Sequence, residues 1–573
     1  ILDRFCAALC TEVTGNPGSP LVLDELRIEN MFLIPLDAGG NWFRYHHLVT
    51  EVLYALLERD HPGEISDLHL RASAWFDSQG YPGEAVDHAL HSGDPIKARE
   101  QVLRHWIPVL HRGEIATVQR WLDGLPVSSD EPDPYVPLAR CWALFLSWQI
   151  SAIEPYLAEA SNAYERLVAE GILSGAQQKQ VAAQLAMMRS VLARDRGEHA
   201  ESVYQAERAA QLFPQEMMEG IGTTWNMLAA ARAGAGDFGG AIEAYEHGIT
   251  LAYAEGNLIG AYGCTYGQAM YLVVQGQLNE AEKICRTSIA RASSDGHEGF
   301  PAAGWLHIAM AGIEMERNRL EDAEVHLSDG LRIARPGGFN EAMRAGRYLR
   351  AQLAGARGNL GIATEILQET ERILIAMDEP YLTGELNREW AMLSIRAGDL
   401  EAAREKLDIM EEQIAATQHG NLVLWWGWLF PRLLFAEQHY QEALNALDES
   451  IDRARAGNSD GELIRLLALQ AVALEALGEH NSAHSGLREA LDLGAPEGYT
   501  WALLNAGQGI ESLLRGLRND SDTSPGCYPY LDSLLDACRV TFGESSRPQP
   551  EDLPDLLTPR ELEIIRLIGK GYS

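Results

Sequence analysis

Between Trp225 and Leu493 one three-residue phrase returns about every 40 residues, and that period leaves this chain few folds to choose from. It reads Gly236-Asp237-Phe238, Gly276-Gln277-Leu278, Asn318-Arg319-Leu320, Gly358-Asn359-Leu360, Gly398-Asp399-Leu400, Gln438-His439-Tyr440 and Gly478-Glu479-His480. Three residues after each phrase stands an alanine (Ala241, Ala281, Ala323, Ala363, Ala403, Ala443, Ala483), at steps of 40 with one step of 42. Twelve positions before each alanine the residue is again alanine, with Pro431 the single exception. Four positions after it stands Tyr245, Cys285, Leu327, Leu367, Leu407, Leu447 or Leu487, on the same helical face one turn later. The phrase is therefore a turn between two helices. Its glycine ends the first helix in a left-handed conformation, and the small residues let the pair approach closely. One helix pair cannot bury its apolar face, so the units must stack into a solenoid.

Two small residues twelve apart with a large one four further on resemble tetratricopeptide repeats. The departure is the period: standard repeats run near 34 residues, and about 40 requires longer helices or loops. That longer form is similar to the superhelical sensor domain of MalT-like transcriptional activators, a branch of the LuxR-type regulators. The expected fold is all-α, a tetratricopeptide-like superhelical solenoid with a small winged-helix remnant at its N-terminal side.

The formal charge of -36, from 82 acidic against 46 basic residues, would repel a phosphate backbone, so the repeats themselves are not expected to hold DNA. The seven cysteines are scattered with no CxxC pair, so neither a disulfide framework nor a thiolate zinc site is expected, which fits a reducing, cytoplasmic setting. The longest apolar runs fall well short of a membrane span. A start at Ile1 without methionine and a stop at Ser573 inside a motif read as a piece of a longer protein.

Residues 1–62 hold a helix carrying Cys6 and Cys10, a second helix from Leu23, and two short apolar runs, Met31 to Leu36 and Asn41 to Tyr45, around a Gly39-Gly40 turn. That is a hairpin after helices, and the string Phe43-Arg44-Tyr45-His46-His47-Leu48 resembles the end of the winged-helix segment that follows the ATPase domain in MalT-like regulators. The resemblance implies that His46 or His47 approaches bound nucleotide; the residues alone favour one packed and one solvated histidine opening an amphipathic helix. Residues 63–125 read as shorter helix pairs, 126–137 as a Pro- and acid-rich linker, 138–514 as the superhelical sensor, and 515–556 as a turn-rich stretch, a helix from Tyr530 to Phe542 and a tether.

In residues 557–573 Thr558 is an N-cap, Pro559 takes the first helical position, and Glu561 completes a capping box. The wording of this stretch, with Arg560 beside the cap, resembles the first helix of a LuxR-type helix-turn-helix domain. DNA is the partner this implies, through a domain that Thr558, Arg560 and Glu561 only begin.

Several motifs dissolve on inspection. Gly234 to Gly239 satisfies GxGxxG and Gly457 to Gly461 satisfies GxSxG around Ser459, yet neither follows a strand, so neither a dinucleotide site nor a nucleophile elbow is expected. No phosphate-binding GxxxxGK[ST] occurs, and no enzyme activity is assigned. The resemblance places ATP on a domain preceding Ile1, with no cofactor in this chain. His88 and His91, like Cys6 and Cys10, lack the further ligands a metal needs. The irregular repeat is more informative. Trp425, Trp426 and Trp428 crowd the helix that carries Pro431 where other units have alanine, so that helix should be kinked or shortened. The three rings either line a ligand pocket or fill the core of a badly fitting unit. MalT-like regulators bind their inducer in the superhelix, which makes these tryptophans effector candidates, with a small molecule or a regulatory protein as partner and self-association as the response. The alternative is a tetratricopeptide adaptor with no DNA role.

Overall fold

In the computed structural model, the structure describes residues 1–29, 32–37, 39–126, 132–147, 149–212, 221–337, 340–375, 380–520 and 527–542. Apart from one hairpin, its regular elements are helices joined by short turns. The first residue of every repeated phrase lies in the left-handed region, from φ 57° at Asn318 to φ 83° at Gly236, so Asn318 and Gln438 do what glycine does elsewhere. Gly236 shows how the turn closes. Its N–H donates to the Ala233 carbonyl at 3.0 Å and the Asp237 N–H to the Arg232 carbonyl at 2.9 Å, after which the Asp237 carboxylate caps the next helix through the Gly240 N–H.

A second left-handed residue falls midway through several units: Gly256, Gly296, Gln418, Asn458 and Gly498. Each unit is thus two helices of nearly equal length, such as Leu258–Val274 with 17 residues and Leu278–Ser294 with 17. Longer helices, not longer loops, account for the period. The seven marker alanines are all buried, none more than 1% exposed, and so are the large residues one turn after them. The helix Gly420–Ala436 runs its full 17 residues through Pro431, so of the two outcomes expected there, a kink or a shortening, the shortening does not occur. Buried Leu429, Leu433 and Leu434 around the proline hold it in place, tertiary packing outweighing one lost backbone bond.

At the N-terminal side, Leu33–Pro35 and Phe43–Tyr45 pair antiparallel with Leu33 opposite Tyr45, and Phe5 bridges to Phe43. These pack with Leu9, Val13, Leu23 and Phe76 into a small separate core. Two boundaries differ from the sequence reading. Helix Tyr135–Leu146 begins inside the stretch 126–137, initiated by the Asp133 carboxylate accepting from the Tyr135 N–H at 2.9 Å. Helix Gly509–Asn519 crosses position 514, because Ile510, Leu513, Leu514 and Leu517 form one continuous buried face. Helix Tyr528–Phe542 then packs back through Leu531, Leu534, Leu535 and Cys538. The tether after Phe542 and the segment with Thr558, Arg560 and Glu561 lie outside the described residues.

The solenoid coils back on itself. Helices Ile221–Gly234, Leu258–Val274 and Gly304–Glu316 touch Gly420–Ala436, Asp460–Ala476 and Trp501–Leu504 respectively, across about 200 residues of sequence. The seam is specific. The Tyr499 hydroxyl donates to the Val273 carbonyl at 2.5 Å, the Thr500 N–H to the Glu316 carbonyl at 2.9 Å, and the Asn279 N–H to the Glu497 carboxylate at 2.7 Å. Gly461 and Gly420 make the approach possible. A Cβ on Gly461 would stand 2.1 Å from the Val273 carbonyl oxygen, and one on Gly420 2.6 Å from that of Ala233.

Candidate functional site

Coiling of the solenoid forms a central cavity of about 420 Å³. Its wall comes mainly from the first helix of each pair. In Pro380–Ala397, Glu385, Arg388, Glu389, Met392 and Arg396 face it, and in Gly420–Ala436, Asn421, Leu424, Trp425 and Trp428 do, each set at the three- and four-residue spacing of one helical face. Gly312 keeps part of the wall open, while Gly267 and Gly263 make room for the Tyr245 and Trp305 rings.

Charge on this wall is organised in pairs. Arg344 meets Glu385, Arg388 meets Glu389, and Arg465 reaches Glu316 at 2.9 Å and Glu462 at 3.8 Å. Guanidiniums also lie over indole rings: Arg388 at 4.4 Å from Trp425, Arg465 at 5.0 Å from Trp428, and Arg396 at 4.9 Å from Trp501. Burial raises the Glu462 carboxyl to about 7 against the pull of Arg465, with the Glu316 charge adding to the rise. Burial raises Glu316 and Glu341 as well. A chamber with aromatic faces, paired charges and directional polar groups can bind a small polar molecule and fix its orientation.

Of the three tryptophans, Trp425 and Trp428 line the cavity, whereas Trp426 stacks on Phe430 with centroids 4.5 Å apart and its indole nitrogen is buried without a hydrogen-bond partner. The helix thus serves both readings, two rings toward the lumen and one toward packing. His46 and His47 sit at the start of helix His47–Asp60, both exposed, rings 4.4 Å apart and remote from the cavity wall. His88 has a partner that no local pattern announced: its Nδ1 lies 2.9 Å from Nδ1 of His69, and burial pushes both imidazoles down to about 4. Among the described residues no group of three or more metal-ligating side chains occurs. Ser459 is a buried residue at the N-cap of helix Asp460–Ala476, and Gly234 to Gly239 is a turn between repeat helices. No helix of the described residues is long and apolar enough to cross a membrane.

The charged residues of the lumen escaped the sequence reading. The three- and four-residue spacing of Glu385, Arg388, Glu389 and Arg396 along one helical face was the available signal, but a solvated face has the same spacing.

Two family models match the chain, one described as the MalT-like TPR region over residues 183–520 and the other as the MalT winged helix domain over residues 1–65. Among curated relatives, the serine/threonine-protein kinase PknK of Mycobacterium tuberculosis is 26% identical over 415 residues, covering 70% of this chain and 36% of that protein. The HTH-type transcriptional regulator MalT of Serratia proteamaculans is 23% identical over 597 residues, covering 100% of this chain and 64% of that protein. The chain therefore spans between about a third and just under two thirds of the length of these relatives. Among solved structures, a Rap protein complexed with competence and sporulation factor superposes with a TM-score of 0.46 at 13% identity, covering 64% of this chain and 98% of that one.

Proposed function

The chain belongs to the MalT-like family, with the family's TPR region at residues 183–520, and from that premise we propose that it is the sensor portion of a signal-responsive transcription regulator. Its central lumen binds the signal. The observation that carries this reading is the cavity itself: about 420 Å³, inside the range of small-molecule sites, walled by helices from both superhelical turns. A ligand that touches both turns favours the closed arrangement by its differential affinity, which is the physical requirement for a conformational response. Trp425 and Trp428 supply the apolar contact, and Trp426 keeps their helix in register. The closed form presents the surfaces for self-association and the segment beginning at Thr558, Arg560 and Glu561 for DNA. ATP would act on a domain outside this chain, with His46 or His47 as the nearest nucleotide-sensing candidates.

The test uses the full-length protein. A metabolite set is screened for compounds that raise the unfolding midpoint, and each hit is then tested for increased retention of promoter DNA. The expected result is a small molecule that does both in the wild type and neither in Trp425→Ala. A protein or peptide partner bound while the lumen stays empty, with no change in DNA retention, would return the chain to the adaptor reading.

A further inference from the structure

Two carboxylates of the lumen wall have an arginine each, Glu385 with Arg344 and Glu389 with Arg388. Two others, Glu316 and Glu462, share one. Glu316 ends helix Gly304–Glu316 in the first superhelical turn, and Glu462 stands with Arg465 in helix Asp460–Ala476 of the second. Arg465 is committed to the first carboxylate: its Nη2 donates to Glu316 Oε1 at 2.9 Å, and its guanidinium lies over the Trp428 ring at 5.0 Å. Its Nη1 stays 3.8 Å from Glu462 Oε2, beyond hydrogen-bond range. Among the described residues no hydrogen bond reaches the Glu462 carboxylate, and its Oε1 is buried without a partner. This side chain nevertheless lines the cavity, with 7% of its surface exposed. A buried carboxylate that accepts nothing is a standing cost to the fold. The rise of this carboxyl to about 7 has the same origin, burial outweighing the pull of Arg465. The chain as a whole, with 82 acidic against 46 basic residues, draws cations toward it and turns anions away.

We propose that Glu316 and Glu462 form a cation subsite of the lumen, which receives a primary ammonium group of the effector while the rest of the molecule packs on Trp425 and Trp428. A primary ammonium is a compact charge with three donors, so it serves both carboxylates at once and fits beside a side chain that leaves little of itself exposed. A quaternary ammonium is bulkier and has no donor to offer them. The ammonium also ties the first turn to the second at the place where Arg465 already joins them, so its arrival favours the closed superhelix. This inference rests on the lumen being the effector site.

The experiment measures the unfolding midpoint of the full-length protein against concentration of 1,4-diaminobutane. Its uncharged counterpart 1,4-butanediol and the donor-free cation tetramethylammonium are run beside it, with sodium chloride keeping ionic strength fixed. The variants are Glu462→Gln, Glu316→Gln and the exposed control Glu365→Gln on helix Leu360–Ile375. In the wild type and the control the midpoint rises with the diamine and responds to neither the diol nor tetramethylammonium. Each lumen variant weakens the apparent affinity for the diamine at least tenfold. A diamine response that survives in both lumen variants overturns the proposal, as does a wild type that the diamine does not stabilise or that tetramethylammonium stabilises equally. If Glu316→Gln, which gives up the Arg465 ion pair, fails to fold, Glu462→Gln decides alone. A metabolite whose binding is lost in Trp425→Ala but unaffected by either glutamate variant would leave the lumen as the effector site and overturn only the cation subsite.

Discussion

Gly461→Ala is the most economical perturbation of the seam that closes the superhelix. An added Cβ would stand 2.1 Å from the Val273 carbonyl oxygen and 2.8 Å from the Tyr499 hydroxyl, whereas ordinary contact begins near 3.4 Å. The obstacle is backbone, so helices Leu258–Val274 and Asp460–Ala476 must part by more than an ångström, and the Tyr499 to Val273 hydrogen bond is lost with them. Overpacking of this kind costs about 1–3 kcal/mol, the lost bond adds about 1 kcal/mol, and the better helix propensity of alanine returns at most about 1 kcal/mol. The net expectation is a loss of about 1–3 kcal/mol by the same bookkeeping. Because repeat arrays do not unfold as one unit, the assay is native-state hydrogen exchange resolved by segment. Protection should fall at 258–274, 460–476 and 499–504 together, although these lie far apart in sequence. Gly486→Ala is the internal control: its Cβ would meet only the Gln470 side chain at 3.8 Å, so it should stabilise. If Gly461→Ala matched Gly486→Ala, or if only 460–476 lost protection, the reasoning from a tight seam would fail.

Further expectations concern the lumen and the buried titrating groups. Trp426→Ala should cost about 3 kcal/mol through the lost Phe430 stack and core volume, while Trp425→Ala should cost less stability but abolish effector binding; urea titration and ligand-dependent unfolding midpoints separate the two. Gly312→Ala, on the cavity wall with nothing within 4 Å of the added carbon, should stabilise the unliganded chain by up to about 1 kcal/mol and weaken the binding of a ligand that fills the chamber. Glu462 titrates at about 7 in the fold against 4.5 when unfolded, so the folded state holds its proton longer and this group's contribution falls as pH rises from 4.5 to 7. The wild-type minus Glu462→Gln difference in stability should carry that downward slope. For His88, pushed down to about 4, the sign is opposite: the unfolded state takes the proton first, so stability falls as pH drops from 6.5 towards 4, and His88→Gln should soften that acid limb in a pH series of unfolding midpoints.

Repetition made the fold legible. Ala241 and its six counterparts, the residues one turn beyond and the phrase that starts each second helix all occupy the buried or left-handed positions that the period assigns them. The hairpin around Leu33 and Tyr45 was legible for a similar reason, two short apolar runs about a glycine turn. What local pattern could not supply was the second contact of the units beginning at Ile221, Leu258 and Gly304, five units further along. Gly461 and Gly420 look like ordinary glycines near a helix start until the opposing carbonyl is in place, and Tyr499 to Val273 joins residues that no sequence period relates. The lumen charges were illegible for the same reason. Arg388 beside Glu389 or Arg465 near Glu462 reads as a solvated helix face, and only closure of the ring turns that face inward. Trp425 and Trp428 were readable because aromatic crowding is local, whereas the division of labour between them and Trp426 depends on which side faces the cavity.

The distance across the seam tests the account most directly. Spin labels on cysteines introduced at Glu280 and Pro496, in a chain whose exposed thiols have been replaced, report whether the turn after Gly276 and the loop before Tyr499 are neighbours in solution, as the Asn279 to Glu497 hydrogen bond of 2.7 Å requires. A closed superhelix gives one short, narrow distance distribution that sharpens further when effector binds. A long, broad distribution insensitive to effector would mean an open array with no enclosed chamber, and the signal site proposed within it would not exist.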